Sequence, residues 1–249
     1  MFVSEYRDGQ WQNSRIVPFA DLTMSPIALC LHYGQTVFEG MKAFAMNDGH
    51  INIFRPEKHY QRFNKSLERM CMPQVPKGLF MEALHQLVQL DSSWVPTEMD
   101  GSLYIRPFMI ATESRLGVKI SDEYLFMIVC TPAYQYYAKP LKVKVEDKYV
   151  RAADGGTGFA KCGGNYGGSF YPTQLAREAG YDQVLWTDSK THEFFEESGT
   201  MNIMFCIDGK LITPPLSGSI LDGVTRDSLL TLAKEKGIAT EERPVRYKE

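Results

Sequence analysis

Residues 155–166 read G-G-T-G-F-A-K-C-G-G-N-Y, a single lysine, Lys161, among five glycines. Glycine is the residue that readily takes φ > 0 and lets other groups approach the backbone closely, so this stretch is a loop shaped around its lysine. A lysine in such a place can be desolvated, which lowers its pKa and frees the amine to act as nucleophile or base. A phosphate loop of the form G-x-x-x-x-G-K-[ST] is excluded on both sides, because Ala160 precedes the lysine and Cys162 follows it. A glycine-rich surface turn with a solvated lysine satisfies the same residues, and the stretch alone does not separate the two readings.

The rest of the chain limits the classes it can belong to. With 249 residues and 44% apolar content it can bury a substantial core, as one large domain or two small ones. A formal net charge of −3 offers no basic excess for a nucleic-acid partner. The first residues, 1–8, contain no apolar run of the kind a signal peptide carries, and the strand-like apolar run 124–130 is far too short to span a membrane. The five cysteines, Cys30, Cys71, Cys130, Cys162 and Cys206, are odd in number and scattered without a C-x-x-C pair. No disulfide framework and no metal site are expected from them; they fit reduced thiols in the cytoplasm.

Periodicity and turn signals divide the chain into elements. A turn at Asp8-Gly9 and a strand over 16–19 come first, and a turn at 47–49 precedes a strand over 51–54. Pro56 opens a helix over 57–71 whose Tyr60, Phe63, Leu67 and Met70 form a core stripe. A second amphipathic helix covers 78–90, and 92–101 is a connector. The strand 102–110 carries Arg106 in an apolar run, where a charge must be paired with a carboxylate or face a cavity. After the buried strand 124–130, the proline-bracketed segment 131–140, crowded with Tyr134, Tyr136 and Tyr137, is expected to be irregular and to link two domains. The second half reads as an alternating strand over 142–150, a helix over 165–179, a strand over 183–186 and a hairpin over 202–213 turning at Asp208-Gly209. A last helix runs through Lys236 and is stopped by Gly237. Its start, preceded by Gly223, is an anion site or simply a threonine-capped terminus.

Two runs read together, F-A-K-C-G-G-N-Y at 159–166 and E-S-G-T-M-N at 197–202, resemble the branched-chain aminotransferases, fold-type IV enzymes that use pyridoxal phosphate (PLP). The run H-Y-G-Q-T-V-F-E-G-M-K-A-F at 32–44 is similar to that family's pocket wall. The resemblance implies that Tyr33, Phe38 and Gly40 line the substrate side chain's pocket, Tyr33 reaching across from a partner subunit. F-R-P at 54–56 followed by Arg62 resembles the family's phosphate-binding arginine, although an isolated arginine on a helix is ordinarily a surface residue. S-L-Y-I-R-P at 102–107 resembles the element in which an arginine, here Arg106, receives the distal carboxylate of glutamate with support from a tyrosine, here Tyr104. L-G-V at 116–118 matches a loop that reaches the partner's site, and L-D-G-V-T-R at 221–226 matches the run whose amides, here Val224 and Thr225, hold the cofactor phosphate.

The resemblance implies a two-domain fold of mixed α/β (α+β) content, with a small domain over 1–133, a linker over 134–138, a large PLP-binding domain over 139–249 and the active site in the cleft between them. Lys161 would hold the cofactor and carry the proton during catalysis, Glu197 (rather than its neighbour Glu196) would pair with the ring nitrogen, and Tyr166 would bind the phenolic oxygen. The implied reaction is reversible transfer of an amino group from leucine, isoleucine or valine to 2-oxoglutarate, in a homodimer with neither nucleic-acid nor membrane partners. A D-amino-acid aminotransferase or aminodeoxychorismate lyase shares the lysine and glutamate but lacks the 32–44 wall and the S-L-Y-x-R-P run. A non-catalytic binding protein on the same fold is expected to have replaced one of the two residues. A G-T-A-like turn that completes the family's phosphate cup is absent from the sequence, so the chain is expected to continue beyond Glu249 in the whole protein.

Overall fold

The computed structural model describes all residues except Tyr136 and Ala138, so the linker expected over 134–138 lies partly outside the described residues. The chain divides into two compact units, Met1–Ala138 and Lys139–Glu249.

The first unit opens with a hairpin of β1 (Phe2–Arg7) and β2 (Gln10–Ile16). Its turn residues Asp8 and Gly9 both take positive φ, as a two-residue hairpin that matches strand twist requires. A short helix α1 (Leu29–Tyr33) leads to β3 (Thr36–Phe38), β4 (Met41–Ala45) and β5 (Ile51–Ile53). The helices α2 (Pro56–Arg69) and α3 (Lys77–Leu90) follow, then β6 (Ser102–Ala111) and β7 (Tyr124–Ala133). The strands form one antiparallel sheet in the order β2-β1-β7-β6-β4-β5, with β3 also paired to β6. Phe63 and Leu67 of α2, Phe80 and Leu84 of α3, and Phe126 of β7 are fully buried, and the rings of Phe80 and Phe126 stack at 6.0 Å. Along β6 burial alternates: Leu103, Ile105 and Met109 are buried, while Tyr104, Arg106 and Phe108 fall on the other face.

The second unit begins with β8 (Val143–Glu146), followed by the short helix α4 (Gly163–Gly167), α5 (Phe170–Glu178) and β9 (Gln183–Thr187). Next come β10 (Phe195–Ser198), β11 (Met201–Asn202), the hairpin β12 (Phe205–Ile207) and β13 (Lys210–Thr213), α6 (Val224–Glu235) and β14 (Thr240–Glu242). They form a four-stranded sheet β11-β10-β9-β8 and a three-stranded sheet β12-β13-β14. β8 and β9 run parallel, and a parallel pair needs a long crossover. That crossover is the segment that contains Lys161.

Four expected elements differ from those observed. The strand expected over 16–19 is absent: β2 ends at Ile16, two residues before Pro18, which has no N–H to give to a ladder. β7 runs on through Thr131, Pro132 and Ala133, because its ladder to β6 extends to Leu103↔Pro132 and Ser102↔Ala133. β8 stops at Glu146 rather than near 150, because the Glu146 carboxylate accepts the N–H groups of Lys148 and Tyr149 and turns the chain. The helix expected over 165–179 is two helices, broken at Gly168 and Ser169, where the glycines have little helix propensity and Pro172 cannot bond into a preceding turn.

Candidate active site

Lys161 sits one residue before the N-cap of α4, on a loop braced by Asn165. Asn165 donates to the carbonyls of Thr157 and Ala160, each at 2.8 Å, and accepts the Thr157 hydroxyl at 2.6 Å. Gly158 has a local steric reason: a Cβ there would collide with the Ala152 side chain and the Ser219 backbone, so the loop packs against 219 only with glycine at this position. Half-buried, the Lys161 Nζ donates to the Tyr166 hydroxyl at 2.8 Å, one turn along α4. This is a placed amine rather than a freely solvated surface lysine.

Glu197 lies on β10, opposite Asn202 of β11, and is 2% exposed. Its Oε1 accepts from the Leu221 N–H at 2.8 Å and from the Asn202 amide at 3.1 Å. Its Oε2 faces Arg151 Nε at 2.8 Å, an approach too bent for a hydrogen bond, so charge holds this pair together. Burial pushes the Glu197 carboxyl above its usual range, and Arg151, the Leu221 amide and the charge of Lys161 pull against it. Glu196 is also pushed up by burial; it accepts the Ser219 hydroxyl at 2.5 Å, while its Oε2 is buried without a hydrogen-bond partner. A small cavity is lined by Arg151, Tyr166, Glu197, Gly199, Thr200 and Leu221. Val224 and Thr225 form the first turn of α6, whose N-cap is Gly223 and whose terminus carries no side-chain cap. The threonine-capped alternative therefore fails. A Cβ at Gly223 would overlap the Asn202 amide, which ties this helix start to the Glu197 strand pair.

The first unit gathers a second set. Arg106 of β6 lies 4.7 Å over the Phe38 ring and donates to the Tyr104 hydroxyl at 2.7 Å. Among the described residues no carboxylate lies within ion-pair distance of it, and its Nε is buried without a partner, which removes the salt-bridge explanation of Arg106. Gly40 exists as glycine because a Cβ there would overlap the Tyr104 hydroxyl. Tyr33 stands apart from this set: it is 40% exposed, and its hydroxyl donates to the Leu116 carbonyl. Arg62 is clamped by Glu39 through Nε at 2.6 Å and Nη2 at 2.9 Å, and His59 Nδ1 lies 2.8 Å from the same carboxylate. Burial alone would raise the Glu39 carboxyl, but the hydrogen bonds from Arg62 and His59 prevail and hold it at about 2.

Four residues of these clusters, Arg151, Asn202, Asn165 and Glu39, carry no role legible in the sequence. Glu39 lies inside the F-E-G run, and Arg151 is a lone charge beside Val150 and the small Ala152 and Ala153. Each gains its meaning from a partner: Arg151 from Glu197, and Glu39 from Arg62.

The profile of the family described as Amino-transferase class IV matches residues 36–249. Over 250 aligned residues the chain is 51% identical to branched-chain-amino-acid transaminase 1 of Bacillus subtilis (strain 168), covering 98% of this chain and 70% of that protein. It superposes on the branched-chain amino acid aminotransferase of Escherichia coli with a TM-score of 0.82 at 27% identity, covering 99% of this chain and 78% of the other. The branched-chain amino acid aminotransferase of Thermobaculum terrenum, solved in its PLP form, superposes with a TM-score of 0.78 at 25% identity, covering 98% and 76%. Motifs, fold and relatives agree with one another: this chain belongs to the class IV aminotransferases.

Proposed function

We propose that this protein is a PLP-dependent transaminase that exchanges the amino group of leucine, isoleucine or valine with 2-oxoglutarate. The observation that carries the reading is the trio formed by the Lys161 amine on the Tyr166 hydroxyl and the buried carboxylate of Glu197. These groups fit pyridoxal phosphate: an amine for its aldehyde, a phenol for its ring oxygen and a carboxylate for its ring nitrogen. When bound, PLP supplies an electron sink that stabilises negative charge at the substrate's α-carbon.

The chain's own residues then divide the work. Lys161 would hold the cofactor covalently and, once substrate has displaced it, take a proton at Nζ from the substrate α-carbon. Tyr166 keeps that amine aimed. Glu197 would pair with the ring nitrogen, while the Val224 and Thr225 amides at the α6 N-terminus and Arg62, steadied by Glu39, would hold the phosphate. Phe38 and Gly40, with Tyr33, would border the branched side chain. Arg106, with its guanidinium braced by Tyr104, would receive the distal carboxylate of glutamate or 2-oxoglutarate. The five free cysteines support a reducing cytoplasm, and no helix among the described residues is long and apolar enough to cross a membrane. The exposed apolar side chains of Leu116 and Val118, beside Tyr33, support a homodimer.

The test is glutamate formation from leucine and 2-oxoglutarate, together with the visible absorbance of bound PLP. Lys161→Ala should leave the fold intact and abolish both turnover and covalent retention of the cofactor, because one amine serves both tasks. Residual activity above about 1% of the parent would remove Lys161 from this role.

A further inference from the structure

We infer that Arg151 is a positioning residue: it holds Glu197 as an anion in one orientation, so that the ring nitrogen of the cofactor stays protonated. The inference rests on the PLP reading above and concerns a residue outside all the motifs that led to it.

Glu197 alone is badly placed to be an anion. It is 2% exposed, and a buried carboxylate without a compensating charge takes up a proton instead. The Leu221 amide and the Asn202 side chain satisfy Oε1, but both are neutral. The groups that face Glu197 with charge are Arg151, Glu196 and Lys161, while Tyr166 lines the same cavity. Glu196 works against ionisation, being a second carboxyl on the neighbouring residue. Arg151 is the cation in direct contact, with Nε 2.8 Å from Oε2 and a side chain only 8% exposed.

The guanidinium is also fixed in place. Its Nη2 donates to the Gly158 carbonyl at 3.1 Å and to the Ser219 carbonyl. Gly158 lies three residues before Lys161, and Ser219 two before the Leu221 amide that binds Glu197. One side chain thus ties the lysine loop, the 217–221 turn and strand β10 together, and it does so with a planar fork that a lysine lacks.

The chemical consequence follows from where the charge sits. A glutamate that takes the proton leaves a neutral acid against a neutral ring, and a neutral ring is a poorer electron sink. A cation touching the carboxylate stabilises its anionic form by more than it repels a positive charge on the carboxylate's far side. Arg151 therefore shifts the shared proton from Glu197 towards the ring.

The experiment is ¹⁵N NMR of the holoenzyme loaded with PLP labelled at the ring nitrogen, without substrate, beside kcat and KM for leucine. In the parent the ring nitrogen should give a protonated signal at neutral pH. Arg151→Met should bind PLP with an unprotonated signal and lose about 10- to 100-fold in kcat at little change in KM. Arg151→Lys keeps the charge and should keep the protonated signal, although its one-point head cannot hold both carbonyls. An Arg151→Met holoenzyme with the parent's ring-nitrogen signal would overturn the inference, whatever its activity. If Arg151→Met fails to fold, a folded Arg151→Lys holoenzyme with an unprotonated ring would overturn it equally. A parent protein that takes up no PLP would instead bring down the cofactor reading, and this inference with it.

Discussion

Arg106 shows how a single residue separates structural from functional use. It stands on a strand whose other face is core, stacked over Phe38, with one N–H group given to Tyr104 and its Nε unsatisfied. An unpaired guanidinium in that setting costs stability, and under the proposed function the distal carboxylate of substrate would supply the missing acceptors. Only glutamate and 2-oxoglutarate bring a second carboxylate. Arg106→Leu should therefore slow the glutamate/2-oxoglutarate half-reaction by about 100-fold, a loss of a few kcal/mol, and the leucine half-reaction far less. Single-turnover measurements of the two half-reactions decide it; equal losses would make Arg106 structural, or a ligand of the α-carboxylate common to both. A charge in an apolar strand is visible in the sequence as an anomaly, and the structure adds that its Nε is buried without a partner.

At the scale of elements, positions are set by close approach. The turn between β3 and β4 brings Gly40 against the Tyr104 hydroxyl, and β4 and β6 pair Lys42 with Tyr104. Gly40→Ala puts a methyl group where the hydroxyl is, so Tyr104 must swing away and release Arg106. The expected result is a rise in KM for 2-oxoglutarate of about tenfold or more, for the loss of one charge-assisted hydrogen bond, with thermal stability little changed. The double variant Gly40→Ala/Tyr104→Phe should lose scarcely more than Gly40→Ala alone; additive losses would show that Gly40 acts by another route. The broken α4–α5 helix belongs to this scale as well. Helical periodicity placed a single helix there, and the Gly167-Gly168 pair with Pro172 separates Tyr166 on α4 from α5, whose Ala176 packs in the core with Val184 and Trp186 of β9.

For the molecule as a whole, the buried Glu39 links the sheet to α2 through Arg62 and His59. Its carboxyl is held at about 2 in the folded protein, against an ordinary 4.5. Such a group contributes its full stabilisation above the unfolded value and loses it as pH falls through the folded one. Stability should therefore decline between about pH 4.5 and 2 by up to a few kcal/mol on account of this residue. Urea denaturation across that window should show the decline, and Glu39→Gln should lower stability at neutral pH while flattening the acid dependence. An unchanged acid slope in the variant would assign the loss to other carboxylates.

The sequence by itself determined the family, the two-part succession of elements, the hairpin turns at Asp8-Gly9 and Asp208-Gly209, and the candidate residues Lys161, Tyr166, Glu197 and Arg106. These are local properties: a turn dipeptide, a helical stripe or a short motif is complete within a few residues. Tertiary structure decided what those residues touch. Arg151 meets Glu197 across 46 positions of chain, and Glu39 meets Arg62 across 23. Strand limits at Glu146 and Ala133 were likewise set by a side-chain turn and by a partner strand. Whether a buried charge is paired depends on distances that only folding creates. That is why Glu197 was legible as a motif residue, and Arg151, the cation that lets it stay charged, was not.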